Sequence, residues 1–207
     1  MSQEVLDLIV KKVDGFLGEE VVGKKPEPPP EPEPEEEPKA EEAEADDPKA
    51  KARAARAKKA AAAKKAEEPK PPARLNFGKP LIELPSEKWS VELAELLRDD
   101  PELQFDFLSC ITGVDYEEHM EVVYNFYSTV KKHYLYLKVI TPREKPSVVS
   151  VDSVWKAADY MEREIYDLLG VDFPGHWNLK RILLDDGWEG HPLRKDYITD
   201  KKALGLD

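Results

Sequence analysis

Cysteine is nearly absent, with only Cys110 in 207 residues. A single thiol excludes an intramolecular disulfide and any thiolate-rich metal centre. In the apolar run FLSCITGV it reads as a buried, inert side chain in a protein of the reducing cytoplasm. Long apolar runs are missing as well. No window approaches the ~20 apolar residues of a membrane span. The opening MSQEVLDLIVKK puts acidic residues ahead of apolar ones and lacks the apolar core of a signal peptide. Membrane contact is therefore expected only through a partner. A basic excess is lacking too: 31 Lys+Arg stand against 43 Asp+Glu, a net charge of −12. Nucleic acid is then not expected as the main partner, because phosphate binding needs a basic face. Nor is there a P-loop, a GxGxxG fingerprint or an HExxH pair.

Proline is abundant but segregated. Of 18 prolines, 11 lie between Pro26 and Pro72, which marks residues 24–72 as a linker. Its first part, KPEPPPEPEPEEEP, is expected to be extended and to bury nothing. Its second, KAKARAARAKKAAAAKKAEE, suits a solvated helix opened by Asp47 and Pro48. Ahead of the linker, residues 1–23 hold an amphipathic helix over 2–17, with Val5, Ile9, Val13 and Phe16 at helical spacing and Gly18 as its stop. Two readings stay open for this helix: packing on its own domain, or docking on another subunit.

Residues 73–170 read as an α+β domain, a mostly antiparallel sheet covered by helices. Leu81–Leu84 is a short strand. Pro85 and Ser86 open a helix presenting Trp89, Leu93, Leu96 and Leu97, which ends at Asp99–Pro101 because a residue before proline avoids helical geometry. LQFDFLSCITGVDY is strand-like with a break at Gly113. EVVYNFYS (121–128) and HYLYLKVIT (133–141) form a hairpin whose second strand alternates Tyr134, Tyr136 and Lys138 with Leu135, Leu137 and Val139. A helix from about Asp152 to Leu169 carries a stripe of Val154, Ala158, Met161, Ile165 and Leu168, with Glu162, Arg163, Glu164 and Asp167 off it, and Gly170 ends it.

Residues 171–207 form a long extended C-terminal segment without regular period, expected to dock on something. Gly170, Gly175, Gly187 and Gly190 allow sharp turns. Arg181, Arg194 and Lys195 offer donors to carboxylates. Phe173, Trp177 and Trp188 are candidate apolar anchors of an interface. His176 and His191, with Asp185, Asp186 or Glu189, are an imaginable metal or acid–base set, but the histidines lie 15 residues apart without helical ligand spacing.

The run EREIYDLLGVDFPGHWNLKRILLDDGWEGHPLRKDY resembles the signature of the 30-kDa subunit family of respiratory complex I, the C subunits of NADH-quinone oxidoreductase. DDPELQFDFLSCITGVDY, EVVYNFYS and SVVSVDSVWKAADYMEREIYD fit the same family's order, so the resemblance covers roughly Leu81 to Tyr197. One local departure is Trp177, where the family usually has proline. The resemblance implies a non-catalytic scaffold subunit of the quinone module of a proton-translocating NADH-quinone oxidoreductase. On that expectation the chain holds no cofactor, and iron–sulfur clusters, FMN and quinone belong to partner subunits. Its partners are then the large quinone-site subunit of the 49-kDa type and an iron–sulfur subunit, on the cytoplasmic side of the cell membrane. The resemblance carries docking roles onto Glu162, Arg163, Glu164, Tyr166 and Asp167 in the helix. In the tail it carries them onto Gly175, His176, Arg181, Gly190, His191, Pro192, Leu193, Arg194, Lys195 and Asp196, and Trp188 joins them as an anchor. Two alternatives remain: the equivalent subunit of an energy-converting hydrogenase or other non-NADH-fed complex, and a free-standing interaction module.

Overall fold

The computed structural model describes residues 2–19, Val22 and 71–198. The chain divides into two units, residues 1–24 with 72–207 and residues 25–71. The expected extended and helical parts of the linker, and the last residues of the tail from 199 onward, lie outside the described residues.

Five strands form one mixed sheet in the order β1-β2-β5-β4-β3. They are β1 (Ala73–Asn76), β2 (Lys79–Pro85), β3 (Phe107–Asp115), β4 (His119–Tyr127) and β5 (Tyr134–Pro142). Only β2 and β5 run parallel; the other three pairings are antiparallel. The α+β expectation holds, and the 121–141 hairpin forms with the alternation read from it. Leu135, Leu137 and Val139 are buried, while Tyr134, Tyr136 and Lys138 face away. β1 was not foreseen: four residues, two of them exposed, carry too little pattern to announce a strand.

Helix α1 (Ser2–Leu17) lies against β1 and β2. Leu6, Ile9 and Val13 join the single core, and Lys12 pairs with Asp100 at 2.8 Å and Glu102 at 2.6 Å. Of the two readings of this helix, packing at home is therefore the one observed. The segment after β2 differs from expectation. Ser86–Lys88 make one 3-10 turn, and α2 (Val91–Asp99) starts only at Ser90, whose hydroxyl accepts from Leu93 N–H at 3.2 Å. Its end falls as expected, with Asp100 extended (φ −59°, ψ 127°) ahead of Pro101.

Helix α3 (Ala158–Leu169) packs on β3. The chain from Asp152 to Ala157 makes turns instead of helix. The buried face is also rotated from the expected one: it passes through Ala158, Glu162, Ile165 and Leu169, at intervals of four, three and four, with Leu168 only half-buried. Gly113 is not a break either. β3 runs straight through it, and a β-carbon there would sit 2.4 Å from Leu169 Cδ1, so the missing side chain is what lets α3 lie close to the strand. Cys110 is half-buried, not buried, with its sulfur 3.4 Å from Thr112 Oγ1. Among the described residues no helix is long and apolar enough to cross a membrane.

Candidate functional site

The last turn of an α-helix leaves four carbonyls without intrahelical partners, at the negative end of the helix dipole. Helix α3 has no basic residue in its last turn. The tail supplies them. Arg181 Nη1 reaches Asp167 Oδ1 at 3.0 Å and His191 Nδ1 lies 2.9 Å from Asp167 O. Leu193 N–H donates to Leu168 O at 3.0 Å. Arg194 donates from Nε to Leu169 O at 2.6 Å and from Nη2 to Gly170 O at 3.2 Å. Gly170 closes the helix at φ +71°, as expected. A β-carbon on it would meet the His191 ring at 2.5 Å and Arg194 Nη2 at 2.7 Å.

The tail runs beside α3 in the same direction. His176 and Trp177 meet the start of the helix: His176 Nε2 lies 3.2 Å from Asp159 O, and Trp177 Nε1 donates to Asp159 Oδ2 at 3.0 Å. One turn on, Arg163 Nε donates to Lys180 O at 3.2 Å. Next comes Asp167, which is fully buried. Its Oδ2 accepts the N–H groups of Ile182, Leu183 and Leu184 at 3.0, 2.8 and 3.0 Å. Burial alone would raise this carboxyl, but these three amides and Arg181 outweigh it and hold it below the ordinary aspartate range. The last described residues of the tail reach the sheet. Lys195 N–H donates to Asp115 Oδ2 at 2.9 Å, and Arg143 pairs with both Asp115 and Asp196 at 2.9 Å. The Arg143 guanidinium holds Asp115 well below the usual carboxylate range, against the opposing effect of burial.

Glu162 is the second buried acid of α3, fully enclosed. Its Oε1 accepts from Val151 N–H at 2.9 Å, and its Oε2 lies 2.5 Å from Ser150 Oγ. Burial pushes its carboxyl up to about 7, against the lowering effect of those two hydrogen bonds. Ser150 Oγ also lies 3.1 Å from Asp152 Oδ1. One hydroxyl proton cannot serve two carboxylates, whereas a protonated Glu162 donating to Ser150 lets Ser150 donate to Asp152.

The expected site residues thus separate into two groups. Glu162 and Asp167, read as lying off the buried stripe, are enclosed by their own chain, and their partners 11 to 17 residues away were invisible to helical periodicity. Phe173, expected as an interface anchor, is buried in the domain core beside Val171. Gly175 and Gly190 adopt φ +91° and +81°, Gly190 O accepts from Arg181, and Tyr166 and Pro192 are half-buried. Facing outward are Glu164, Trp177, Leu183 and Leu193, the last three 70%, 60% and 60% exposed. Trp188 is half-buried, with a buried Nε1 that has no partner among the described residues. His176 and His191 serve opposite ends of α3, about 12 Å apart along its axis as judged from Asp159 and Asp167. Asp115, Arg143, Asp159 and Ser150 hold the tail or its helix and had no signal in the sequence.

Residues 82–203 match the family model described as the respiratory-chain NADH dehydrogenase 30 Kd subunit. The chain belongs to that family. Among curated 30 Kd relatives, the C subunit of NADH-quinone oxidoreductase from Roseiflexus castenholzii is 49% identical over 109 residues, 51% of this chain and 63% of that protein. The C subunit from Chloroherpeton thalassium is 43% identical over 116 residues, 55% of this chain and 48% of that protein. The matches therefore span less than two thirds of these relatives' own length. In Phocaeicola vulgatus the similar protein is named as the C/D subunit, and the 42% identical stretch is only 24% of it. A chain of the membrane-bound sulfane sulfur reductase, an archaeal respiratory membrane complex, shares the fold. Its TM-score is 0.55 and its identity 24%, over 74% of this chain and 94% of that one.

Proposed function

We propose that this chain is a scaffold subunit of a proton-translocating NADH-quinone oxidoreductase, without catalytic residues or cofactors of its own. In this reading it sits peripherally on the cytoplasmic side of the membrane. Its tail fastens the large quinone-site subunit and a neighbouring iron–sulfur subunit. Those partners, together with a flavin-bearing one, hold the clusters, FMN and quinone.

The observation that supports the reading is the division of labour in the tail. The side chains of His176, Arg181, His191 and Arg194 turn inward onto α3, while Trp177, Leu183 and Leu193 are held outward on a backbone pinned at Asp167 and Leu168. A pinned strip of exposed apolar residues suits a protein interface, since ordering has already been met within the subunit. The relative named C/D, with both subunit letters on one chain, fits a D-type subunit as the immediate neighbour.

The test is Leu183→Asp with Leu193→Asp in the full chain, expressed with its partner subunits. Both sites are exposed, so the isolated protein should keep its melting curve while recovery of the quinone-site subunit by affinity purification falls about tenfold or more. Unchanged assembly would overturn the proposal. So would a complex that assembles fully yet loses turnover.

A further inference from the structure

At the end of the sheet away from the tail, the face turned from the core carries a row of aromatic and basic side chains. Phe107 on β3 is the register partner of Tyr127 on β4, and Tyr127 that of Tyr134 on β5. Lys79, two residues before the Leu81–Tyr136 pair, continues the row on β2. The Tyr127 and Tyr134 rings stand 4.6 Å apart. Lys79 Nζ sits 4.2 Å above the Tyr134 ring and donates to Tyr136 OH at 3.1 Å. Two turns flank the row. One carries Phe77, 99% exposed, and the other carries Val130, followed by Lys131 and Lys132. Phe107 and Tyr134 are themselves 52% and 42% exposed.

Charge separates this end from the middle of the same face. There Lys138 is answered by Glu121 at 2.8 Å and Glu83 at 3.9 Å, and Arg74 by Glu83 at 2.5 Å. At the row, Lys79, Lys131 and Lys132 have no ion-pair partner among the described residues. The Asp106 carboxylate accepts from the N–H and hydroxyl of Thr129, and the Lys132 charge acts on it without an ion-pair contact. Among the described residues, three lysines without an ion-pair contact thus surround an exposed aromatic strip, with Asp106 felt by Lys132 only at longer range. The strip is a shallow track in the plane of the sheet, with Tyr127 half-buried and the Tyr136 hydroxyl engaged, so a planar lipid surface would meet only the two turn tips.

We propose that this row docks an extended, acidic, proline-containing segment of a partner protein. Its carboxylates pair with Lys79, Lys131 and Lys132, and its prolyl rings pack on Phe107, on Tyr127 and on the exposed part of Tyr134 beside Lys79. Four strands at ~4.8 Å spacing make a track about 14 Å long, which about five residues of polyproline II cover at ~3.1 Å each. That conformation is pre-organised and is recognised by aromatic strips in known peptide readers. The surface is separate from the tail and does not depend on the scaffold reading.

The probe is a synthetic fluorescent peptide of Glu-Pro-Pro repeats, titrated into the full-length chain, with a Gln-Pro-Pro peptide as control. Saturable binding is expected, with amide shifts confined to residues 75–81, 107 and 127–136. It should weaken about tenfold or more for the Gln peptide and for Lys79→Glu or the Lys131→Glu/Lys132→Glu pair. Lys131 and Lys132 are exposed and form no ion pair among the described residues, so the melting curve of the double variant should match the parent. Lys79→Glu also gives up the bond to Tyr136 and the contact with Tyr134, and is compared with Lys79→Gln, which removes the positive charge without adding a negative one. Absence of saturable binding overturns the proposal, as does binding indifferent to charge reversal or shifts mapping to the tail. Binding to phosphatidylserine-containing vesicles without peptide binding overturns it in favour of a lipid surface.

Discussion

Asp167 and Arg181, 14 residues apart in sequence, meet at 3.0 Å where α3 ends and the tail turns alongside it. The aspartate is fully enclosed and takes three backbone amides besides the guanidinium, so it is the point on which residues 181–184 are hung. Asp167→Asn keeps the shape but offers an amide N–H₂ where acceptors are needed, leaving buried donors unpaired. The expected loss is about 3–5 kcal/mol of unfolding free energy, together with faster proteolytic cleavage in residues 180–190, read by urea titration and timed trypsin digestion.

Gly170→Ala attacks the same junction from the helix side. A left-handed residue with a β-carbon costs about 1–2 kcal/mol, and the new methyl overlaps His191 and Arg194. The tail should lift at 191–194 while α3 survives. Amide hydrogen exchange would then quicken at Leu193, Arg194 and Tyr197 and stay slow at Ile165 and Tyr166. Uniform acceleration would mean that the glycine matters to the whole domain.

Glu162 makes stability fall as pH rises. Unfolded, it titrates near ~4.3; folded, near about 7. Between these values the native state holds the extra proton, so its stabilising contribution is complete below the first and is lost through the second. The span corresponds to roughly 4 kcal/mol. Glu162→Gln mimics the protonated acid. It should leave stability at pH 4 nearly unchanged and raise it at pH 8 by about 3–4 kcal/mol, as measured by urea unfolding at each pH.

Ile9→Ala tests the first helix. Ile9 is fully buried in the common core, so truncation should cost about 2–4 kcal/mol and broaden the loss to β1 and β2 amides. A helix that served only another subunit would leave the isolated domain's melting curve unchanged.

What could be read in advance were features with local causes. The alternation of β5 follows from one wet and one dry face, the stop at Asp100 from the proline beside it, and the αL cap at Gly170 from the chirality of every other residue. The two buried acids of α3 were misread because hydropathy assigns carboxylates to water, and their compensation comes from Ser150, Val151 and residues 181–184. Gly113 was misread for a related reason. A glycine in a strand signals either a kink or a close neighbour, and only Leu169, lying over it, shows which. The tail's irregularity was legible, but its path was not, since side chains and amides far apart in sequence set it.

Because successive tail residues are paired with successive turns of α3, the helix works as a ruler for a segment that has no repeat of its own. The pairing is tight at 176–184 and again at 191–195, and between them Asp185, Asp186, Gly187 and Glu189 are exposed. Slack in length is therefore confined to one short arc. A residue gained or lost there leaves Leu183 and Leu193 where the pitch of the helix puts them, whereas the same change at 191–194 would carry Leu193 out of register. The surface offered to a neighbour is thus inherited from helical geometry, and it tolerates drift only where nothing is being measured.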